Sequence, residues 1–96
     1  MKTVRDHIAA HPAIPAPPPG ASHVLVWEPY GYAQWALSAL DAPPDGAEIL
    51  VGSADVSSDE LAACTAAQLG YPVVLSVRID VDGEIAFYVT PAGGGR

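Results

Sequence analysis

The first residues along the chain that could do chemistry are His7 and His11, one helical turn apart, with Asp6 beside them. Imidazoles at that spacing share a helix face and can grip a divalent cation, but a firm site needs at least a third ligand, and none follows. The pair reads as polar surface. The run Asp80-Val81-Asp82-Gly83-Glu84 has the look of half a calcium loop. Setting Gly83 on that loop's glycine puts Arg78 at the first ligand position and Val89 at the last, so the run reads as a turn instead. Ser22 and His23 place a hydroxyl beside a base, yet adjacent residues of a strand point to opposite faces, which separates the two. Cys64 stands among alanines with no neighbouring cation to favour its thiolate and reads as a small core residue. No Gly-x-Ser-x-Gly and no phosphate-cradling glycine loop occurs. Asp41, Asp45, Glu48, Asp55, Asp59 and Glu60 fall in loops and helix starts, where carboxylates are solvated. The sequence therefore offers no catalytic residue, no metal site and no cofactor site.

What remains is a cluster of aromatics. Trp27, Tyr30, Tyr32, Trp35 and Tyr71 are five of the seven aromatic residues, and the first four lie within nine positions. Trp27 belongs to an apolar strand and reads as core. Tyr30 and Tyr32 share a loop with Pro29 and Gly31. Trp35 falls off the apolar face of the segment that contains it. For Tyr30, Tyr32 and Trp35 two readings stand side by side: core packing, or a surface that binds another chain, since aromatic side chains anchor protein interfaces.

Composition bounds the rest. The 96 residues make one domain and are 50% hydrophobic, which excludes a disordered chain. A single cysteine excludes an internal disulfide and fits a reducing, cytoplasmic setting. No apolar run approaches a membrane span. The net charge is -7, and the only basic side chains are Lys2, Arg5, Arg78 and Arg96. Such a surface repels phosphate backbones, so direct nucleic-acid binding is not expected. Two uses of the charge remain, solubility and attraction of a basic partner.

The elements that must position these residues follow from periodicity and punctuation. Thr3 and Asp6 start a short helix, with Val4 and Ile8 on one face, that must end near His11 because Pro12 cannot continue it. The five prolines between Pro12 and Gly20 predict an extended arm outside the core. Residues 1–21 are thus a helix and a proline-rich arm, 22–91 a single α/β domain, and 92–96 a flexible tail. Within the domain, His23 to Trp27 reads as a strand covered on both faces. Tyr32 to Leu40 reads as a helix, with Ala33, Ala36, Leu37 and Leu40 at helical spacing. Ala47 to Val51 is a second strand. Ser57 and Glu60 form a capping box for a helix that Gly70 stops. Pro72 opens a third strand, followed by a hairpin. A three-residue loop of Val81, Asp82 and Gly83 would pair Ile79 with Ile85, Val77 with Phe87 and Leu75 with Val89. The opposite face would then carry Ser76, Arg78, Asp80, Glu84 and Tyr88 into solvent. Crossover helices make the first three strands mutually parallel if they share a sheet.

That order resembles the thioredoxin family. Val24-Leu25-Val26-Trp27-Glu28-Pro29-Tyr30 is similar to the family's strand that ends in tryptophan, proline and a second aromatic before the active site. Ile49 to Val56, the helix to Gly70, and Tyr71-Pro72 resemble its second strand, second crossover and cis-proline, and Asp82-Gly83-Glu84 stands at its hairpin turn. The likeness spans residues 22–90. It implies a thioredoxin-like mixed sheet of three strands with crossover helices plus a C-terminal hairpin, truncated at the closing helix, with residues 3–10 as the candidates to cover that face. The family's paired cysteines are replaced by Gly31 and Gln34 in Gly31-Tyr32-Ala33-Gln34, so the resemblance implies a redox-inactive member. It also implies a groove of Tyr30, Gly31, Tyr32, Trp35, Tyr71 and Pro72 that holds an extended segment of a protein partner. Redox-silent assembly chaperones, such as those for hydrogenases, are the nearest analogy. The expected function is a non-enzymatic, chaperone-like binding module. The alternative is a small acidic inhibitor, of the kind phages and mobile elements encode, that mimics nucleic acid and blocks a nucleic-acid-binding complex.

Overall fold

The computed structural model describes residues 2–28, 34–43, 49–53, 57–81 and 84–92. The chain forms α1 (Val4–Ala9), β1 (His23–Glu28), β2 (Gln34–Ala39), β3 (Ile49–Ser53), α2 (Ser58–Leu69), β4 (Val73–Val81) and β5 (Glu84–Pro91). The five strands make one sheet in the order β3-β2-β1-β5-β4, and every neighbouring pair is antiparallel. This is a small α/β domain. None of its described helices is long and apolar enough to cross a membrane.

The antiparallel sheet corrects the expected mixed one. Alternating directions make β1, β3 and β4 run the same way. They are not neighbours, however, because β2 lies between β1 and β3, and β5 between β1 and β4. The source of the difference is the segment read as a helix from Tyr32 to Leu40. Its described part is β2, paired with β1 from Glu28↔Gln34 to His23↔Ala39. A strand covered on both faces is apolar on both faces, so its pattern does not separate it from a short helix. Here Trp35 and Leu37 pack with the α2-side core, while Leu40 joins the opposite one.

Both helices begin as their side chains dictate. Ser57 accepts from the Glu60 amide at 3.2 Å and Glu60 accepts from the Ser57 amide at 3.3 Å; Gly70, at φ 87°, closes the C-terminus in the left-handed region. In α1, Thr3 accepts from the Asp6 amide and Asp6 from the Thr3 amide. The Thr3 amide and, less strongly, its hydroxyl donate to the Asp6 carboxylate and hold it below its ordinary pKa. Six residues do not make a stable helix alone. The chain after β2 supplies what is missing: the carbonyls of Ala42 and Leu40 accept from the Val4 and Arg5 amides at 2.9 and 2.8 Å. Exposed Arg5 adds an ion pair with Asp41 at 3.1 Å.

The sheet is covered on both faces. On one, Leu25, Leu37 and Val89 of the sheet are buried with Leu61 of α2, and Trp35, Val51, Leu69, Val73, Leu75 and Phe87 pack around them. On the other, Ile8, Ala21, Val24, Leu40, Ile79, Ala86 and Tyr88 form a second core, against which Val4, Ile14 and Val26 pack. Residues 3–10 thus do cover a sheet face. The proline-rich segment, expected outside the core, is drawn onto it as well: the fully buried Tyr88 donates its hydroxyl to the Pro15 carbonyl at 2.6 Å. Tyr88 was expected in solvent on the polar face of the hairpin, and this cover is why it is not.

The hairpin register is split. Leu75 pairs with Val89 as expected, but Ile79 pairs with Ala86 and Val81 with Glu84, leaving only residues 82–83 between the strands. The register shifts between Ser76 and Ile79, where β4 carries one extra residue. The bulge turns Ile79 into the α1-side core, where it is buried. Its price is local strain: Val77 sits at φ 56°, a region a β-branched side chain rarely occupies.

Two outcomes test this architecture. Val77 is 38% exposed and Val74, on the same strand, 51%, so burial alone makes Val74→Gly the milder change. Relief of a left-handed backbone worth about 1–2 kcal/mol reverses that order, and urea unfolding should show Val77→Gly to be the better tolerated. Tyr88→Phe should cost about 1 kcal/mol by removing the bond to Pro15. Burial raises the Tyr88 pKa above its usual 10.0. The stability linked to that phenol is therefore full below pH 10 and declines above it, a loss that Tyr88→Phe abolishes in thermal melts across this range.

Candidate functional site

The strand registers sort the functional candidates between two ends of the sheet. Glu28 pairs with Gln34, Gln34 with Ser53, and Val26 with Ala86, two residues into β5. The chain therefore leaves for residues 29–33, 54–56 and 82–83 from the same end. His23, Ala39, Val73 and Pro91 mark the opposite end.

Trp27 and Trp35 face each other across β1 and β2 near the first end. Their ring centroids are 5.5 Å apart and tilted by 53°; Phe87 on β5 continues the row at 5.8 Å from Trp35. Such tilted contacts add about 0.5–1.5 kcal/mol beyond burial. The three rings belong to one sheet face, the one α2 crosses. Trp35 and Phe87 pack against the α2-side core, whereas Trp27, expected within the core, is only half-buried and stacks on Trp35 at its margin.

Of the six residues expected to line a groove, Trp35 is in this row. Tyr30, Gly31 and Tyr32 lie outside the described residues, between Glu28 and Gln34. Tyr71 and Pro72 are exposed and precede β4 at the far end, with β1 and β5 between that strand and β2. The structure does not bring them together with Trp35. The Tyr71–Pro72 bond, the counterpart of the family's cis-proline, is trans. No protein-family model, curated protein or solved structure matches the chain.

Phe87 was missed as a partner of the tryptophans because only the β1–β5 register brings it to them. The signal in the sequence was the alternation Ile85, Phe87, Val89, which matches Leu25 and Trp27 on the same face.

The titratable residues are placed as follows. Ser22 precedes β1, so strand alternation does not reach it, and its Oγ lies 2.7 Å from Nδ1 of His23. This corrects the expectation that the two side chains are held apart. The Ser22 amide donates to Val89 and its carbonyl accepts from Leu40, which fixes the residue beside the ring. Among the described residues His23 has no second hydrogen-bonding partner to orient it, and its strand neighbours are Ala39 and Val89. The pair immobilises an imidazole more than it activates a hydroxyl. His7 is exposed and His11 half-buried, and the described residues hold no group of three side chains fit to bind a metal. Cys64 is half-buried on α2.

Burial lowers the His23 pKa from its ordinary 6.5. The folded state thus resists protonation that the unfolded chain accepts, and stability is full above pH 6.5 and falls as pH drops toward the lower folded value. The measurement is a difference between two proteins: His23→Gln should flatten the stability profile below pH 6.5 relative to the wild type in urea unfolding.

Proposed function

We propose that this chain is a non-enzymatic protein-binding module whose contact surface is the sheet end that carries Trp27 and Trp35. One observation carries the reading: Trp27 is a large aromatic left half-buried at the margin of the core, stacked on a second tryptophan that is itself anchored. A partly exposed ring on a rigid base is preorganised for an interface, because little side-chain entropy is lost when a partner covers it. The sequence places Tyr30 and Tyr32 in the connection that leaves from this end, which adds two residues of the type interfaces favour. Chaperone-like capture of a protein segment in a cytoplasmic setting is the form of binding this supports, without a thioredoxin-type groove shared with Tyr71 and Pro72.

The charge of -7 favours a second use of the same binding role, occupation of a basic nucleic-acid-binding protein. Salt separates the two. An aromatic contact tolerates 0.5 M salt, at which the screening length is only a few ångströms (about 3 Å at 1 M), whereas charge mimicry does not.

The test is a pull-down from the native cell with wild-type protein, Trp27→Ser, and the pair Tyr30→Ser and Tyr32→Ser. Trp35 is left intact because its ring supports the core. Loss of a captured protein in both variants, with melting temperatures within a few degrees of wild type, is the expected result. Retention of every captured protein by both variants would sink the reading.

A further inference from the structure

We propose that the sheet face around Tyr88 recognises proline-rich chain, and that residues 2–21 are a hinged arm occupying it until a proline-rich segment of a partner protein displaces them. This face lies opposite the one that carries Trp27 and acts independently of it.

The arm itself shows what the face binds. Every residue from Ile14 to Pro18 is a proline or precedes one, and Pro15 and Pro18 stand three apart. That confines the stretch to extended, polyproline-type backbone. With three residues per turn, Ile14 and Pro17 fall on one edge of such a helix. These two are half-buried, whereas Pro15 and Ala16 between them are exposed. Ile14 packs against the core that holds Val24, Ala86 and Tyr88, and the Tyr88 hydroxyl donates to the Pro15 carbonyl at 2.6 Å. Apolar contact from one edge of a preformed polyproline helix, on a surface that presents an aromatic side chain, is how proline-rich ligands dock.

Few bonds hold the arm closed. Proline lacks an amide, and among the described residues the Tyr88 bond is the one hydrogen bond that ties residues 12–20 to the sheet. Before them, the six-residue α1 is latched by two backbone bonds and the exposed Arg5–Asp41 pair. At the other end lies a hinge. The Ala21 amide donates to the Pro18 carbonyl at 3.1 Å, across Pro19 and a Gly20 at φ 86°. Proline followed by a left-handed glycine marks a type II turn, which folds the arm back over the sheet. Closure also leaves Nδ1 of His11 buried with no hydrogen-bonding partner among the described residues, a cost that opening to water removes. Exchange with a second copy would gain no contact that the closed chain lacks, and would bring together two chains of charge -7. A partner without that charge avoids the repulsion.

The experiment is an amide chemical-shift titration of the full chain with a synthetic peptide of residues 12–20, against a glycine–serine peptide of equal length. The proline-rich peptide should shift Val24, Val26, Ala86 and Tyr88, and the control should not. Gly20→Ala supplies the lever. Its methyl would meet Thr90 Cγ2 at an ordinary 3.6 Å, but alanine resists a φ of 86°. That strain weighs on the closed arm and not on the open one, so the variant should bind the peptide about tenfold more tightly than wild type. Equal affinity in the two proteins, shifts confined to Trp27 and Trp35, or no binding by either at millimolar peptide would overturn the proposal. A dimer that Gly20→Ala promotes in sedimentation would overturn it too, by giving the face to a second copy. Hydrogen exchange of the wild type needs no variant. The Val4 and Arg5 amides should be protected at least about tenfold less than the Leu25 amide, with a weaker dependence on urea. Matching protection and urea dependence would mean that the arm leaves only when the whole sheet unfolds, and the proposal would fall.

Discussion

Strands β1 and β5 are apolar on both faces, and that constraint organises the molecule. An antiparallel sheet can leave one face to water when its strands alternate polar and apolar residues. Here Val24 and Leu25 are neighbours and both buried, as are Tyr88 and Val89. Water must therefore be kept from both sides, and the fold needs two covers. One is α2, a twelve-residue helix with its own caps. The other is assembled from weaker parts: a six-residue helix, a run of prolines, and the residues that lead into β1. The second cover holds because each part is tied to the sheet by a hydrogen bond that water would otherwise make. The carbonyls of Leu40 and Ala42 cap α1, and Tyr88 reaches the Pro15 carbonyl.

The features visible in the sequence were those with local causes. Both capping boxes and the stop at Gly70 depend on residues three or four apart, and all appear where the side chains place them. What escaped depends on distant partners. Strand β2 has an alanine-rich pattern that suits a helix, and only its pairing with β1 along six residues decides otherwise. Tyr88 looked solvated until a proline segment some seventy positions away came to lie over it. The hairpin was misread by one residue because a uniform register was assumed, and the bulge at Val77 lets two registers coexist in one ladder.

The candidate surface was legible in the same uneven way. The concentration of aromatics around Trp27 and Trp35 is a property of the sequence, and the structure stacks those two rings. The extension toward Tyr71 and Pro72 came from a resemblance of element order, and sheet order separates them from Trp35 by two strands. Element order in sequence is compatible with several sheets. Strand β2 between β1 and β3, and strand β5 between β1 and β4, together remove the neighbour relations that the groove required.

The two edges show how binding and solubility are reconciled. Exposed edges invite pairing with any chain, and proteins blunt them with bulges and charge. Both edge strands carry a register shift, next to Val51 in β3 and at Val77 in β4. In β4 the blunting is strong enough to hold a valine at positive φ, a strain retained although glycine would remove it. A β-branched residue there keeps the bulge stiff, whereas glycine would let the strand straighten and the edge become pairable. With backbone pairing discouraged on both sides, selective contact has to come from side chains. The half-buried Trp27, stacked on Trp35 at one end of the sheet, is of the kind that provides it.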